Sequence, residues 1–553
     1  MNNFMPLIQK SQRIQVYILL ILAFALFTIS IGNYPFIDGD ATFYGQTAKN
    51  MIEHGDWTTL RFDHFDADYF VDKPPLTMWI TALMFKLFGL TEFAGRFWHS
   101  LLAMFTVLIT YLLGRRLFQH QIGMLAGFIL TTSLQFFYQA REPLQDIPLA
   151  FCFALIFYLY VLFIQEKKFL YYYLLCLMIG IAIMIKGLVG LILPGAILLI
   201  TFLFSKEYKN FKLKDYLAHL PGGLALVLMI ALPWHIAEYL KEGSKFMEFY
   251  FGERTFSRYM GAQSFPGSAF PAYLIYLFLG FLPWAVFLAQ SLYQGYKHYF
   301  KISSLPEKNY YLLLMVWITV TFIFFAVSPG NIFMRYLLPI FPACALLIAK
   351  YLYDNVTSPL IKPGIAAAFI GLLLSLITVI ASTFSSQILN PATIHQDRIY
   401  LSILAPFLLF FSTGLLAAAY YLIKNKNKTA VYLLVILTSV SYFVFTGAVR
   451  KNIHLALPQK QIAALINQKI NADTKVIKYM PHRGGLTMLS FYLKPYLKPV
   501  YNEKDLTEFL EGNPGTIIAV EDIDYIPAML KSSLQLIHQQ EKWGVYKKVT
   551  SNE

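Results

Sequence analysis

Ionisable side chains crowd the borders of the apolar runs in this chain, and their types suit one kind of chemistry. Asp38 and Asp40 directly follow the first apolar run, and a later stretch carries Asp56, Asp63, Asp66, Asp68, Asp72 and Lys73 before a double proline. The segment QAREPLQDIPLAF adds Arg141, Glu142 and Asp146, MIKGLVG adds Lys186, and SPGNIFMRYLLPIFP adds Arg335. A carboxylate can orient and deprotonate a hydroxyl as general base. Fixed cations can hold a phosphate leaving group and offset the charge developing on it. Carboxylates and cations from separate loops, meeting at one membrane face, suit transfer of a sugar from a lipid phosphate to a hydroxyl. The donor's tail would stay in the bilayer, which accounts for a site at its surface.

Plainer readings exist for each residue. Asp63, Asp66 and Asp68 read as a solvated acidic turn. Asp40 and Asp146 each stand where a carboxylate can cap a helix N-terminus. Lys186 and Arg335 can snorkel to the interface. Ionisable groups at membrane depth are costly and usually face a polar cavity, and here they converge on one side, which favours the chemical reading.

The elements that must position these groups are membrane helices. The chain has 553 residues, of which 57% are hydrophobic and 14% charged, too little charge for a soluble domain of this size. Apolar runs long enough to span lie at roughly 15–33, 97–114, 121–138, 145–164, 169–185, 187–205, 219–237, 269–290, 309–327, 335–353, 363–384, 400–423 and 430–448, about thirteen in all. The fold class expected is mainly α, a polytopic membrane protein. The net charge of +14 lies in short Lys/Arg clusters at every second connection, which fits topology and anionic lipid rather than nucleic acid. That alternation places the N-terminus in the cytoplasm and the tail outside. The run after Lys10 and Arg13 lacks a cleavage signature and reads as a retained first helix. Cys152, Cys176 and Cys344 sit within apolar runs and imply no disulfide framework.

Two outer loops, 34–96 and 238–268, are too long for simple connectors. Residues 40–54 place Tyr44, Ala48, Met51 and Ile52 on one helical face, and 75–88 form a second short apolar helix. Both are expected in the interface. The later loop carries Glu238, Glu242, Glu253, Arg254 and Arg258 among aromatics. From about residue 450 the pattern changes to strands at TKVIKYM, GTIIAV and WGVYKKV, with helices at 484–493 and 503–511. The domains expected are a membrane domain over 1–449 and a small periplasmic α/β domain over 450–553.

DATFYGQTAKNMIEHGDW, YFVDKPPLTMWITALMFKLFG, EFAGRFWHSL, QAREPLQDIPLAF, KGLVG and RYLLPIFP, in this order, resemble the membrane-embedded type-C glycosyltransferases. The likeness is to the bacterial aminoarabinose transferases of lipid A and, more distantly, the protein O-mannosyltransferases, and it covers about residues 15–350. It implies Asp40, four residues before Tyr44, as catalytic base, and Asp146 as the second acid, with Asp38 supporting. It implies Lys73, preceded by Asp72, as a contact to donor phosphate, joined by Arg258 and, less firmly, by Lys186 and Arg335. Ala41 and Phe43 replace the family's Glu and Arg in the first motif, which leaves the donor sugar open between a hexose and a pentose. Ser264 stands where aminoarabinose transferases carry a zinc-holding His, and His482 in the tail is another possible ligand. No cofactor is assigned, and no residue is assigned to a divalent metal.

The expected partners are a polyprenyl-phosphate sugar donor, a lipid A or other envelope glycan acceptor, and membrane lipids, with the protein in the bacterial inner membrane and transfer inverting the anomeric carbon. A protein Ser/Thr acceptor is the alternative within this chemistry. A lipid-linked sugar transporter or flippase is the alternative of another class. It would predict polar groups deep inside several spans, whereas the mid-span regions here are nearly uncharged.

Overall fold

The structure is a computed structural model, and it describes residues 4–36, 39–61, 73–205, 213–257, 269–301, 305–328, 332–355, 411–456, 459–470, 474–479, 488–494, 497–513, 515–520, 522–540 and 543–548. Backbone polar groups in hydrocarbon must be bonded within the segment, so the apolar runs form helices. The first ten helices are α1 (Phe4–Thr28), α2 (Gly39–His54), α3 (Leu76–Phe88), α4 (Glu92–Leu117), α5 (His120–Thr131), α6 (Leu134–Gln139), α7 (Asp146–Glu166), α8 (Phe169–Lys186), α9 (Val189–Ser205) and α10 (Leu213–Glu242). Helices Ala269–Gly280, Ala285–Lys301, Leu305–Ala326, Phe341–Asp354 and Asn427–Ala456 follow. Among the described residues, eight helices are long and apolar enough to cross a membrane, or nine if one bent pair counts as a span. The run expected at 363–384, and the part of 400–423 before Phe411, lie outside the described residues.

Two expected spans are broken rather than continuous. The run 121–138 divides into α5 and α6 at Thr132-Ser133, and the run 269–290 bends by 111° between Ala269–Gly280 and Ala285–Lys301. The two breaks brace each other. The Leu134 N–H donates to the Leu282 carbonyl at 2.9 Å, and the Trp284 indole donates to the Thr132 hydroxyl at 2.9 Å. Tyr442, from Asn427–Ala456, donates to the Thr132 carbonyl at 2.9 Å. Polar groups at both interruptions thus find protein partners, which is what makes unwound backbone tolerable at membrane depth. Between α8 and α9 the chain turns at Gly187, which has φ +63° and needs a residue without Cβ. A Cβ at Gly190 would lie 2.3 Å from the Ala182 carbonyl, so α8 and α9 meet backbone to backbone there.

Two buried arginines fix the exit from α1. Arg96 of α4 donates to the carbonyls of Ile31, Tyr34 and Pro35 at 2.9, 2.7 and 2.7 Å, and lies 3.6 Å from Glu142. Arg141 donates to the carbonyls of Leu26 and Ile29, both at 2.8 Å. The carbonyls left over at the end of a helix need such donors when they are buried. The result is a fixed launching point for α2, whose second residue is Asp40.

The tail forms a sheet with strand order β2-β1-β3-β5-β4, from β1 (Val476–Tyr479), β2 (Leu497–Val500), β3 (Ile517–Val520), β4 (Leu534–Gln540) and β5 (Trp543–Lys548). Strands β2, β1 and β3 run parallel, while β5 is antiparallel to β3 and β4. Helices Met488–Tyr492 and Glu503–Gly512 fall where helices are expected, and Gln459–Lys469 is an additional one. Phe491 of the tail packs edge-on to Phe36 at 5.0 Å and tilts against Phe85 at 5.8 Å. Lys49 of α2 donates to the carbonyls of Phe491 and Leu493 at 3.3 and 2.7 Å. Lys460 and the Tyr492 hydroxyl both reach Glu92 Oε1, at 2.5 and 3.2 Å. With the tail on one side and α3 on another, Ala41 through Met51 are all buried, not one face only.

Candidate active site

Five charged side chains from five separate segments line one hollow: Asp40, Lys73, Asp146, Lys186 and Arg335, with Tyr44, Leu144, Gln145 and Tyr336 completing the wall. Asp40 comes from the first turn of α2 and Asp146 from the first turn of α7, where a negative charge is favoured by the helix dipole. Lys186 is the last residue of α8, where a positive charge is favoured. Arg335 stands in the 3-10 turn Met334–Ile340 that leads into Phe341–Asp354. Asp40, Asp146 and Lys186 therefore each sit at the helix end that suits their sign.

The charges alternate along a chain of contacts. Lys186 Nζ lies 2.5 Å from Asp146 Oδ1, Arg335 Nε lies 3.4 Å from Asp146 Oδ2, and Arg335 Nη2 lies 2.5 Å from Asp40 Oδ2. The Asp146 side chain is only 4% exposed and that of Asp40 is 46% exposed. Asp146 is thus an internal counter-charge, whereas Asp40 presents a carboxylate that an incoming hydroxyl can reach. Arg335 also lies over the Phe333 ring at 4.1 Å and Lys186 over the Tyr336 ring at 4.5 Å, which limits both cations to one arrangement.

Lys73, Lys186 and Tyr336 line a second, larger cavity of about 520 Å³ as well, so the hollow and the cavity share a wall. The rest of that lining is largely apolar, including Leu188, Val189, Ile192, Phe324 and Phe325, and Arg254 adds a further cation. Among the described lining residues of both spaces, four cations face two carboxylates. An excess of positive charge beside an apolar space suits an anionic head with a hydrocarbon tail.

The loop before Lys73 is tied to α10. Lys241 lies 2.6 Å from Asp56, Arg61 lies 3.3 Å from Glu242, and the Thr59 hydroxyl donates to Glu238 at 3.2 Å. The indoles of Trp79 and Trp234 donate to the carbonyls of Trp57 and Thr58 at 2.7 and 2.9 Å. Partial burial alone would raise the Asp56 pKa, but hydrogen bonds from Lys241 and from the Thr59 and Thr58 amides, with the Lys241 charge, outweigh it and lower the value.

Of the residues singled out in the sequence, Asp40, Tyr44, Lys73, Asp146, Lys186 and Arg335 meet here. Asp38, Asp72 and Arg258 lie outside the described residues, as do Asp63, Asp66, Asp68, Ser264 and His482. Among the described residues no group of three or more His, Cys, Asp or Glu is arranged to hold a metal ion. Arg254 reaches the cavity through a π-helical segment, Met247–Ser257, that also brings Tyr250 and Thr255 to the lining. Its wider turn shifts which residues face inward, a change that ordinary helical spacing does not reveal.

Residues 72–236 match the family model described as dolichyl-phosphate-mannose-protein mannosyltransferase. Over 97% of the chain, the fold superposes with TM-score 0.79 and 21% identity on 98% of the crystallised ArnT of Cupriavidus metallidurans bound to undecaprenyl phosphate. The chain has the fold of the type-C glycosyltransferases. An oligosaccharyltransferase of Archaeoglobus fulgidus shares the type-C fold at TM-score 0.54 and 14% identity, over 92% of this chain and 69% of that one. In sequence, the chain is 27% identical over 320 residues to an undecaprenyl phosphate-alpha-4-amino-4-deoxy-L-arabinose arabinosyl transferase of Proteus mirabilis, covering 57% of this chain and 55% of that protein. It is 28% identical over 336 residues to a protein of Aquifex aeolicus, covering 61% and 63%. The matched stretches thus span less than two thirds of these curated relatives. Lys73, Asp146 and Lys186 of the hollow fall within the residues matched by the family model, and Asp40 and Arg335 lie to either side of them.

Proposed function

We propose that this protein transfers a sugar from a polyprenyl-phosphate donor to an envelope acceptor such as lipid A or another glycan, with inversion at the anomeric carbon and Asp40 as general base. The observation that carries this reading is the meeting of Asp40, Asp146, Lys73, Lys186 and Arg335 in one hollow beside an apolar cavity. Asp40 takes the proton of the acceptor hydroxyl as its oxygen attacks the anomeric carbon. The bond from that carbon to the phosphate oxygen breaks, and the electron pair leaves with the phosphate. Lys73 and Arg254 hold the phosphate and offset its added negative charge, while Arg335 orients Asp40 and joins Lys186 in holding Asp146. In-line attack opposite the leaving phosphate inverts the configuration. General base catalysis of this kind contributes about 10²–10⁴-fold.

The aminoarabinose transferase relatives and the undecaprenyl phosphate named for the crystallised ArnT support the donor class. Either a hexosyl or a pentosyl donor fits this account. We place the membrane and reaction machinery in residues 1–449 and a periplasmic α/β unit in 450–553, with the N-terminus cytoplasmic and the protein in the inner membrane. The family description over residues 72–236 favours a second reading, in which a protein Ser/Thr is the acceptor.

Purified full-length protein in detergent should transfer sugar from a lipid-linked donor without any sealed membrane. A protein that moves lipid-linked sugar only across intact vesicles would be a flippase instead. Mass spectrometry of lipid A and of periplasmic proteins from a deletion strain separates the two acceptors. Loss of a glycan from lipid A supports the first reading, and loss from proteins alone supports the second.

A further inference from the structure

A second polar pocket lies at the other end of the helices that carry Arg335. From Met334 to Asp354 the chain rises about 35 Å, enough to cross a hydrocarbon core, so Asn355 stands at the membrane face opposite the reaction hollow. There a pocket of about 360 Å³ is lined by Gln290, Gln294, Lys297, His298 and Lys301 of helix Ala285–Lys301, with Tyr293, Tyr351 and Asn355. The spacing from Gln290 to Lys301 puts these residues on one side of a single helix, while Ala285 to Leu288, Ser291 and Gly295 are its buried residues.

The pocket is built rather than accidental. Asn355 donates to Gln294 Oε1 at 3.1 Å, Gln294 Nε2 meets His298 Nε2 at 3.2 Å, and the His298 ring stacks on Tyr311. The Asn355 carbonyl in turn accepts from Asn427 at 3.2 Å, so three helices fix the floor. Lys297 and Lys301 bring two positive charges, and among the described residues no carboxylate lines the pocket. Among the described residues Gln290 Oε1 is buried without a hydrogen-bond partner, a cost that an occupant bearing a donor group would remove. Beside the pocket, Tyr293, Tyr296 and Phe300 are 68%, 57% and 63% exposed, the pattern of an aromatic belt at a lipid headgroup layer.

We infer that this pocket binds the headgroup of a membrane phospholipid, with Lys297 and Lys301 on its phosphodiester and Gln290 Oε1 accepting from a hydroxyl or ammonium beyond the phosphate. Basic pockets between membrane helices are suited to such headgroups. The exposed aromatics identify the occupant as a lipid rather than a free anion, because they give acyl chains a surface beside the headgroup. The site is independent of the reaction assigned above, about a membrane thickness away.

Native mass spectrometry of the full-length protein in neutral detergent, titrated with phosphatidylglycerol, phosphatidylcholine or inorganic phosphate, tests this. Wild type should retain phosphatidylglycerol in preference to phosphatidylcholine, which lacks a donor beyond its phosphate. Lys297→Gln and Lys301→Gln should each weaken retention about fivefold, and Lys308→Gln, a neighbouring change outside the pocket, should not. Gln290→Leu should narrow the preference for phosphatidylglycerol over phosphatidylcholine. Displacement of the lipid by equimolar inorganic phosphate would make this a free-anion site and overturn the inference. So would equal retention by wild type and the Lys297→Gln, Lys301→Gln double variant with unchanged melting temperatures.

Discussion

Arg335 is the side chain through which the two carboxylates of the hollow are coupled, so its replacement separates a structural role from a chemical one. Its guanidinium reaches Asp40 through Nη2 at 2.5 Å and Asp146 through Nε at 3.4 Å, with its side chain 10% exposed. Breaking a buried ion pair by removing one partner ordinarily costs about 3–5 kcal/mol. Here Asp146 keeps Lys186 at 2.5 Å, and Asp40, at 46% exposure, can take up water instead. Both facts reduce the expected stability loss of Arg335→Gln to about 1–2 kcal/mol. The kinetic loss should be larger, because the variant leaves the proposed base unoriented and removes a fixed positive charge, worth about 10²–10³-fold, or 2.7–4 kcal/mol. Arg335→Lys restores the charge, but one ammonium cannot span both carboxylates as the planar fork does. That variant should recover most of the stability and remain about tenfold slower than wild type. The assay pairs transfer rates in detergent with melting followed by intrinsic fluorescence. Wild-type rates in Arg335→Gln would refute the reasoning, and so would an activity loss wholly accounted for by unfolding.

Three further outcomes follow from other contacts. Phe491→Ala should cost about 3–5 kcal/mol, because a 5%-exposed ring leaves its contacts with Phe36 and Phe85, and limited proteolysis should then release the tail; unchanged melting and cleavage would show that the tail does not hold α2. Arg254→Gln should raise KM for the lipid-linked donor about tenfold with little change in kcat, and a fall in kcat alone would remove Arg254 from donor binding. The Asp56 pKa is lower folded than unfolded, so its stabilising effect is full above the ordinary carboxylate value and fades as pH falls through the folded value. Melting temperature against pH should therefore drop on the acid side for wild type, and Asp56→Asn should flatten part of that drop; identical profiles would rule out the tether to Lys241.

Much of the candidate site was legible because charge at the end of an apolar run is costly and so stands out. Asp146, Lys186 and Arg335 each interrupt such a run, and Asp40 begins an amphipathic helix directly after one. Arg96 was not legible in this way. It falls at the end of the outer loop 34–96, directly before the run 97–114, and its task of binding the carbonyls of Ile31, Tyr34 and Pro35 becomes evident only in three dimensions. The breaks at Thr132 and Leu282 were hidden for a related reason, since hydropathy stays high across them while Trp284 and Tyr442 supply their partners from far along the chain. In the tail, the two strands not anticipated, β2 and β4, are the sheet's edges. Pro499 is tolerated in β2 at such an edge, and β4 is rich in glutamine, so neither carries the apolar pattern of an inner strand.

The account rests on Asp40 acting as the base, and the rate of sugar transfer by purified Asp40→Asn tests that most directly. The amide is nearly isosteric with the carboxylate but cannot accept the acceptor's proton, so transfer should fall about 10²–10⁴-fold while melting temperature and donor KM stay near wild type. Transfer by Asp40→Asn at the wild-type rate would contradict it.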